Sequence, residues 1–374
     1  MDSVTLGAAV RRFPLLGRPR PACPALPERV AEITEIAGTA GRRPEAAHHA
    51  LTKAALLASD CGLADLARVL CWQHINIYRA ASSRLTMLQV RYMLEPVINL
   101  ARLQIRADNG SQALQLLETM YQAITANTDL VVEGRTLPLA NPIGTRQEHH
   151  KLREWVWLQY LGDGIRALAL AGRWDDAVAL AQARRGIGLH LMEGRQAAII
   201  ARCLHGDLQA ARALLEESTP IHLWEQQVAS CLNVMCVAPG TTGRDVTAMI
   251  GHFRGSEPIP GYADFRARLG LTVVTLANPA DPGVAGRLLT QVAAEAIEAD
   301  DGYAAREVLK YVRGESGTRL PGTQERALSA VVQSSGLGRG AISEELMADF
   351  LTAVRAGEAV TARALAIPIA VSPV

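Results

Sequence analysis

Few stretches of the 374-residue sequence combine side chains able to act together on a substrate or a metal. His150 and Glu154 lie four apart within Glu148-His149-His150-Lys151-Leu152-Arg153-Glu154, a spacing that places both on one face of a helix. A metal needs further ligands, and neither a His-Glu-x-x-His motif nor a paired Cys-x-x-Cys supplies them. Glu148 is accounted for by the preference of carboxylates for a helix start. His48 and His49 offer the same choice with less context. Asp175-Asp176 is a carboxylate pair of the kind that holds magnesium, but it also opens a helix, where acids are stabilised anyway. Gly336-Leu337-Gly338-Arg339-Gly340 precedes a helix and lacks both the Gly-Lys-Ser/Thr ending of a phosphate loop and a preceding strand. It reads as a turn. No Gly-x-Ser-x-Gly elbow supports a nucleophile. No catalytic residue, metal ligand or cofactor is therefore assigned.

The elements that position such residues are helices. Leu63, Leu66, Leu70 and Ile77 recur at helical spacing, as do Val90, Leu94, Val97, Ala101 and Ile105. Leu158, Leu161, Ile165 and Leu168 form another stripe. Pro96 predicts a kink, or a helix start, inside the second set. Later helices are expected over 283–299, 303–312, 324–334, 343–356 and 358–365, with Gly62, Gly110, Gly172, Gly206, Gly302 and Gly357 at boundaries. Residues 1–27 carry five prolines and four arginines, which predicts an irregular basic arm. That arm is either a loose tail or a segment docked on an acidic partner or on the protein's own body. Leu130–Pro138, with β-branched residues around Glu133-Gly134, reads as a short hairpin or ordered loop within an inserted loop, 127–150. A second irregular region, 239–243 and 255–261, separates an array over 28–238 from a C-terminal helical region over 239–374 that continues the array or forms a bundle.

Internal repetition is the strongest signal. Gly172-Arg173-Trp174-Asp175-Asp176-Ala177 returns 34 residues later as Gly206-Asp207-Leu208-Gln209-Ala210-Ala211, and Ile165, Ala167 and Leu170 align with Ile199, Ala201 and Leu204. Ala107–Ala113 also mirrors Ala299–Ala305. A glycine turn, an aromatic or apolar residue and a small alanine let two antiparallel helices pack closely. Through Gly172, Trp174 and Ala177, residues 158–217 resemble the tetratricopeptide repeat, although the unit opening at Leu158 lacks the family's terminal proline. The resemblance implies an all-α fold, a degenerate α-solenoid of antiparallel helix pairs whose first helices line a concave groove. Gln159, Glu193 and Gln227 stand on those helices at successive 34-residue intervals, with Tyr160, Asp163, Arg166 and Arg195 beside them. These seven are the candidate ligand- or peptide-binding residues. Arg195 is read either as an ion pair joining units or as a ligand anchor.

Thirty-eight basic and 37 acidic residues leave a formal charge of +1, which argues against bulk nucleic-acid binding. Thirty-five of the basic residues are arginine, a bias of the GC-rich, actinobacterial kind. The longest apolar runs, such as Leu269–Ala277, fall short of a bilayer span, and no secretory signal is recognised, so a cytoplasmic protein without membrane contact is expected. Six scattered cysteines fit buried hydrophobes better than a disulfide framework. The leading reading is a non-enzymatic interaction protein that binds a peptide or protein segment. The alternatives are a ligand-sensing regulatory module, taking a small polar ligand, and an all-helical biosynthetic enzyme with loop 127–150 as a lid. Self-association is left open.

Overall fold

The computed structural model describes residues 2–41, 43–237, 243–314 and 319–366. Among them the regular structure is helical apart from one two-stranded hairpin, as expected. In chain order come α1 (Ser3–Val10), α2 (Leu26–Thr39), α3 (Pro44–Asp60), α4 (Ala64–Arg79), α5 (Met87–Arg106) and α6 (Gly110–Ala126). The hairpin β1 (Leu130–Val132) and β2 (Arg135–Leu137) leads to α7 (Arg146–Leu170), α8 (Trp174–Ala183), α9 (Glu193–Leu204), α10 (Leu208–Glu216) and α11 (Leu223–Met235). The rest are α12 (Gly243–Arg254), α13 (Ala263–Ala277), α14 (Pro282–Glu298), α15 (Gly302–Gly314), α16 (Gly322–Ser334) and α17 (Glu344–Ala366). Two compact units result: Met1–Ala25 with Leu168–Ser335, and Leu26–Ala167 with Gly336–Val374. They are not sequential, because α17 packs on α2, α3 and α4. Part of the irregular region near 239 lies outside the described residues.

In the second unit α5 begins with a reciprocal cap between Thr86 and Gln89 and runs unbroken through Pro96. Proline there leaves the Tyr92 carbonyl without its intrahelical donor. α17 likewise runs through Gly357 as one helix, where the sequence suggests two. A Cβ at Gly357 would come within 3.3 Å of the Ala47 carbonyl oxygen, so the glycine serves close approach to α3 and does not end the helix. The hairpin turns on Glu133 and Gly134, both at positive φ, as a two-residue hairpin turn requires. Leu130, Val132 and Leu137 are buried, and the Glu133 carboxylate accepts from the Trp72 indole N–H at 2.8 Å. The glycine-rich turn is closed: Gly338 and Gly340 donate their N–H groups to the carbonyls of Asp60 and Cys61, at 2.8 and 2.7 Å. Those donors cap the end of α3 and are not open to phosphate. Buried Asp60 also accepts from Arg29 and Arg106, tying α2, α3 and α5.

The core of α3, α4 and α5 holds a polar chain. His48 bonds through Nε2 to the Glu95 carboxylate at 2.7 Å and through Nδ1 to His74 Nε2 at 3.0 Å. Tyr92 stacks on the His48 ring. His74 Nδ1, Thr52 Oγ1 and Asn99 Nδ2 are buried without a partner among the described residues. Both His48 nitrogens are engaged, so the side chains form a relay and do not converge as metal ligands; no cluster of metal-ligating residues occurs among the described residues.

In the first unit, Gly172 and Gly206 adopt left-handed conformations at the recurring turn. Asp300 does the same, as does Asp108 in the mirrored turn of the second unit. α8 packs on α9, α9 on α10, and α11 on α12. The centre is α13, buried nearly all round, with Gly270 opening space for Val292 and Phe253. Residues 3–10 of the expected irregular arm are helical, since prolines begin only at Pro14 and Asp2 caps the Thr5 N–H. From Arg11 to Ala25 the chain is irregular.

Burial, and then the neighbouring His48, hold His74 well below the ordinary histidine range, so it is neutral in the folded protein. Below its ordinary value of 6.5 the unfolded chain takes up a proton that the folded chain refuses. For Glu95, burial opposes ionisation, but the His48 hydrogen bond and nearby positive charge outweigh it and hold the carboxyl below 4.5. Stability therefore falls as pH drops below 6.5, and further below 4.5. Urea unfolding from pH 7.5 to 5.5 should show this decline, and His74→Leu should reduce its slope by up to about 1.4 kcal/mol per pH unit.

Candidate functional site

A proline-rich segment cannot satisfy its own backbone by forming a helix, so burying it requires donors and acceptors from elsewhere. In the first unit those partners come from the face made by α9, α11, α13 and α15. Gln196, fully buried on α9, grips Leu15 from both sides. Its Oε1 accepts the Leu15 N–H at 2.8 Å, and its Nε2 donates to the Leu15 carbonyl at 2.7 Å. A second Nε2 bond, to the Leu191 carbonyl at 2.6 Å, fixes the amide. Arg268 on α13 donates to the carbonyls of Arg12 and Pro14. The Arg20 N–H reaches the Gly261 carbonyl at 2.8 Å, and the Cys23 N–H reaches Asp301 at 3.1 Å. The Gly302 N–H returns to the Cys23 carbonyl at 2.9 Å.

Side chains add direction to this backbone grip. Phe13 and Leu15 are buried. Arg18 meets Glu193 at 2.7 Å and Arg20 meets Asp264 at 3.3 Å, with the Arg20 guanidinium over the Tyr303 ring. Arg12 lies over Tyr311. Gly17 is required: a Cβ there would fall 2.2 Å from Cγ of Trp224. The arm thus docks on the protein's own body, and two of its four arginines find carboxylates, the second of the alternatives open from sequence. The arrangement can hold an extended strand bearing two apolar residues followed by spaced cations.

The seven candidate residues fall into both units. Glu193, Arg195 and Gln227 belong to the first. Glu193 receives Arg18, as above. Arg195 is buried and joins α9 to the end of α10 through Ser218, the Leu214 carbonyl and Glu217. Gln227 donates to Ser256, which also accepts from Arg266 at 2.7 Å. Arg266 in turn forms a two-bond pair with Glu295, at 2.8 and 3.0 Å. Gln159, Tyr160, Asp163 and Arg166 belong to the second unit. Asp163 and Gln159 accept from Arg102 at 3.0 and 3.3 Å, Tyr160 is buried against Tyr121, and Arg166 is exposed. Sequence reasoning missed the His48–His74–Glu95 relay. The signal was present in the spacing of His48 with Thr52, His74 with Tyr78, and Glu95 with Asn99, each pair four apart on one helix.

Gln196→Leu keeps much of the volume but leaves the Leu15 N–H and carbonyl buried and unpaired. Chemical denaturation should report a loss of about 2–4 kcal/mol, with faster tryptic cleavage after Arg11 and Arg12, since Arg18 and Arg20 each precede a proline. Glu193→Gln should cost less than about 1 kcal/mol, because Arg18 is half exposed. No protein-family model, no curated protein and no solved structure matches this chain.

Proposed function

We propose that this chain is a helical-repeat interaction protein, built on degenerate tetratricopeptide-like helix pairs, that holds an extended partner segment on the face of α9, α11, α13 and α15. The observation that carries this reading is the arm itself. Most of its contacts go to backbone atoms, so the face recognises an extended strand as such, while Glu193 and Asp264 favour cations at the Arg18 and Arg20 positions. Residues 11–25 then occupy in cis a face that also suits a partner of the same pattern. Glu193 is a direct contact in this reading, and Arg195 and Gln227 hold the helices beneath it. A second support is the exposure of Leu170 with Leu204, and of Leu189 with Leu223, apolar pairs at the 34-residue spacing. Exposed apolar groups recurring along an array are a common mark of a contact surface. No helix among the described residues is long and apolar enough to cross a membrane. The six cysteines are free and buried, which fits a reducing, cytoplasmic setting.

A fluorescent peptide spanning residues 9–24 tests the reading against the full-length chain. The double variant Gly17→Leu/Arg18→Glu drives the arm off Trp224 and Glu193. Overpacking of this kind costs about 1–3 kcal/mol, so the variant should bind the peptide roughly 10-fold or more tightly than the unmodified chain. Adding Gln196→Leu should abolish the gain. A double variant that melts cooperatively yet binds the peptide no better than the unmodified chain, or no better than a scrambled peptide, refutes the assignment.

A further inference from the structure

In the second unit, the inserted loop walls an open basin of ≈ 430 Å³ together with the end of α6 and the first turns of α7. Ile124, Thr125 and Asn127 line one side, and Arg146, His149 and Arg153 the other. Positions 146, 149 and 153 fall on one stripe of α7. Arg146 and Arg153 stand about 10 Å apart along the axis, with His149 between them, so the two guanidiniums can reach toward each other over the imidazole. No carboxylate lines the basin. Among the described residues, no ion pair or hydrogen bond engages either guanidinium, whereas Arg68, Arg91 and Arg102 of the same unit are each paired with an acid. Of the two acids beside this stripe in sequence, Glu154 does not line the basin and Glu148 is spent on the helix cap. It accepts from the Thr145 N–H and hydroxyl at 2.7 and 2.9 Å, bonds that hold its carboxyl below the usual range, with His149 and Lys151 adding to this. The attraction for an anion therefore comes from side-chain cations in a concavity, not from the helix end.

The loop forming the wall is fixed. Asp129 accepts the N–H groups of Leu139 and Ala140, and Ile143 pairs with the backbone of Leu85 and Met87. We propose that this basin binds the dianionic phosphate group of a small phosphorylated compound. A phosphate monoester offers three oxygens to two forked guanidiniums and an imidazole at once, where a carboxylate offers two. The volume exceeds that of a bare phosphate, and Thr125, Asn127 and Ile124 supply polar and apolar contacts for the organic part.

Calorimetric titration of the full-length chain at fixed ionic strength tests this with three probes: inorganic phosphate, glucose 6-phosphate and succinate. Glucose 6-phosphate should bind more tightly than phosphate, and succinate roughly 10-fold more weakly than glucose 6-phosphate. Arg146→Ala and Arg153→Ala should each weaken the sugar phosphate about 10-fold or more, as expected for a charged hydrogen bond. Both side chains are exposed, so unchanged melting temperatures will separate lost binding from lost folding. Succinate binding as tightly as the sugar phosphate would make this a carboxylate site. No sugar-phosphate binding at about 10 mM, or equal affinity in the double alanine variant, would remove the site altogether.

Discussion

A buried segment that cannot be a helix imposes one demand on the first unit: every backbone group it carries inward must be met by another element. The prolines between Pro14 and Pro24 create that demand, and Gln196, Arg268, Asp301 and the turn at Gly261 meet it. Much else follows. α9 carries a fully buried glutamine because its amide offers a separate donor and acceptor, and both are used on Leu15. Asp301 is buried because it serves two tasks, receiving the Cys23 N–H while capping the first turn of α15 through Tyr303 and Ala304. Gly17 lacks a side chain because Trp224 fills its place. An Ala-rich helical fold with few aromatics would otherwise have little reason to bury so many polar groups.

The same logic appears in the second unit with other chemistry. Asp60 accepts two guanidiniums at the end of α3, and the His48 relay crosses three helices. Buried polar groups of this kind cost free energy unless paired, and pairing fixes which helices are neighbours and in what register. Leu or Ala at those positions would pack without specifying direction. The relay is incompletely satisfied, since His74 Nδ1 is buried without a partner among the described residues.

Helix content was legible because the stripes at 63–77, 90–105 and 158–168 are periodic, and periodicity survives any tertiary arrangement. The hairpin was legible from Glu133-Gly134, whose required left-handed backbone leaves a compositional mark. Gly357 misled because a glycine in a helix marks either an end or a close contact, and only the position of α3 decides which. The polar residues of the 34-residue pattern were visible as regularly spaced. Spacing places Glu193, Arg195 and Gln227 on α9 and α11 but does not say whether solvent or another segment faces them. Arg195 ties α9 to the end of α10 within one helix pair, whereas the sequence offered an ion pair between units or a ligand anchor. The arm's destination was legible only as a choice, since charge complementarity acts equally within and between chains.

The covalent attachment of the arm has a consequence of its own. A segment joined to the face it covers is present there at an effective concentration on the order of millimolar, whatever the protein's abundance. Contacts that would be weak between separate molecules are nearly saturated within one. A competing segment must overcome this local excess by making more contacts than the arm does, or by arriving tethered itself. For the partner binding proposed above, selectivity at such a face would be set less by the affinity of any single contact than by how long a partner stays beside it.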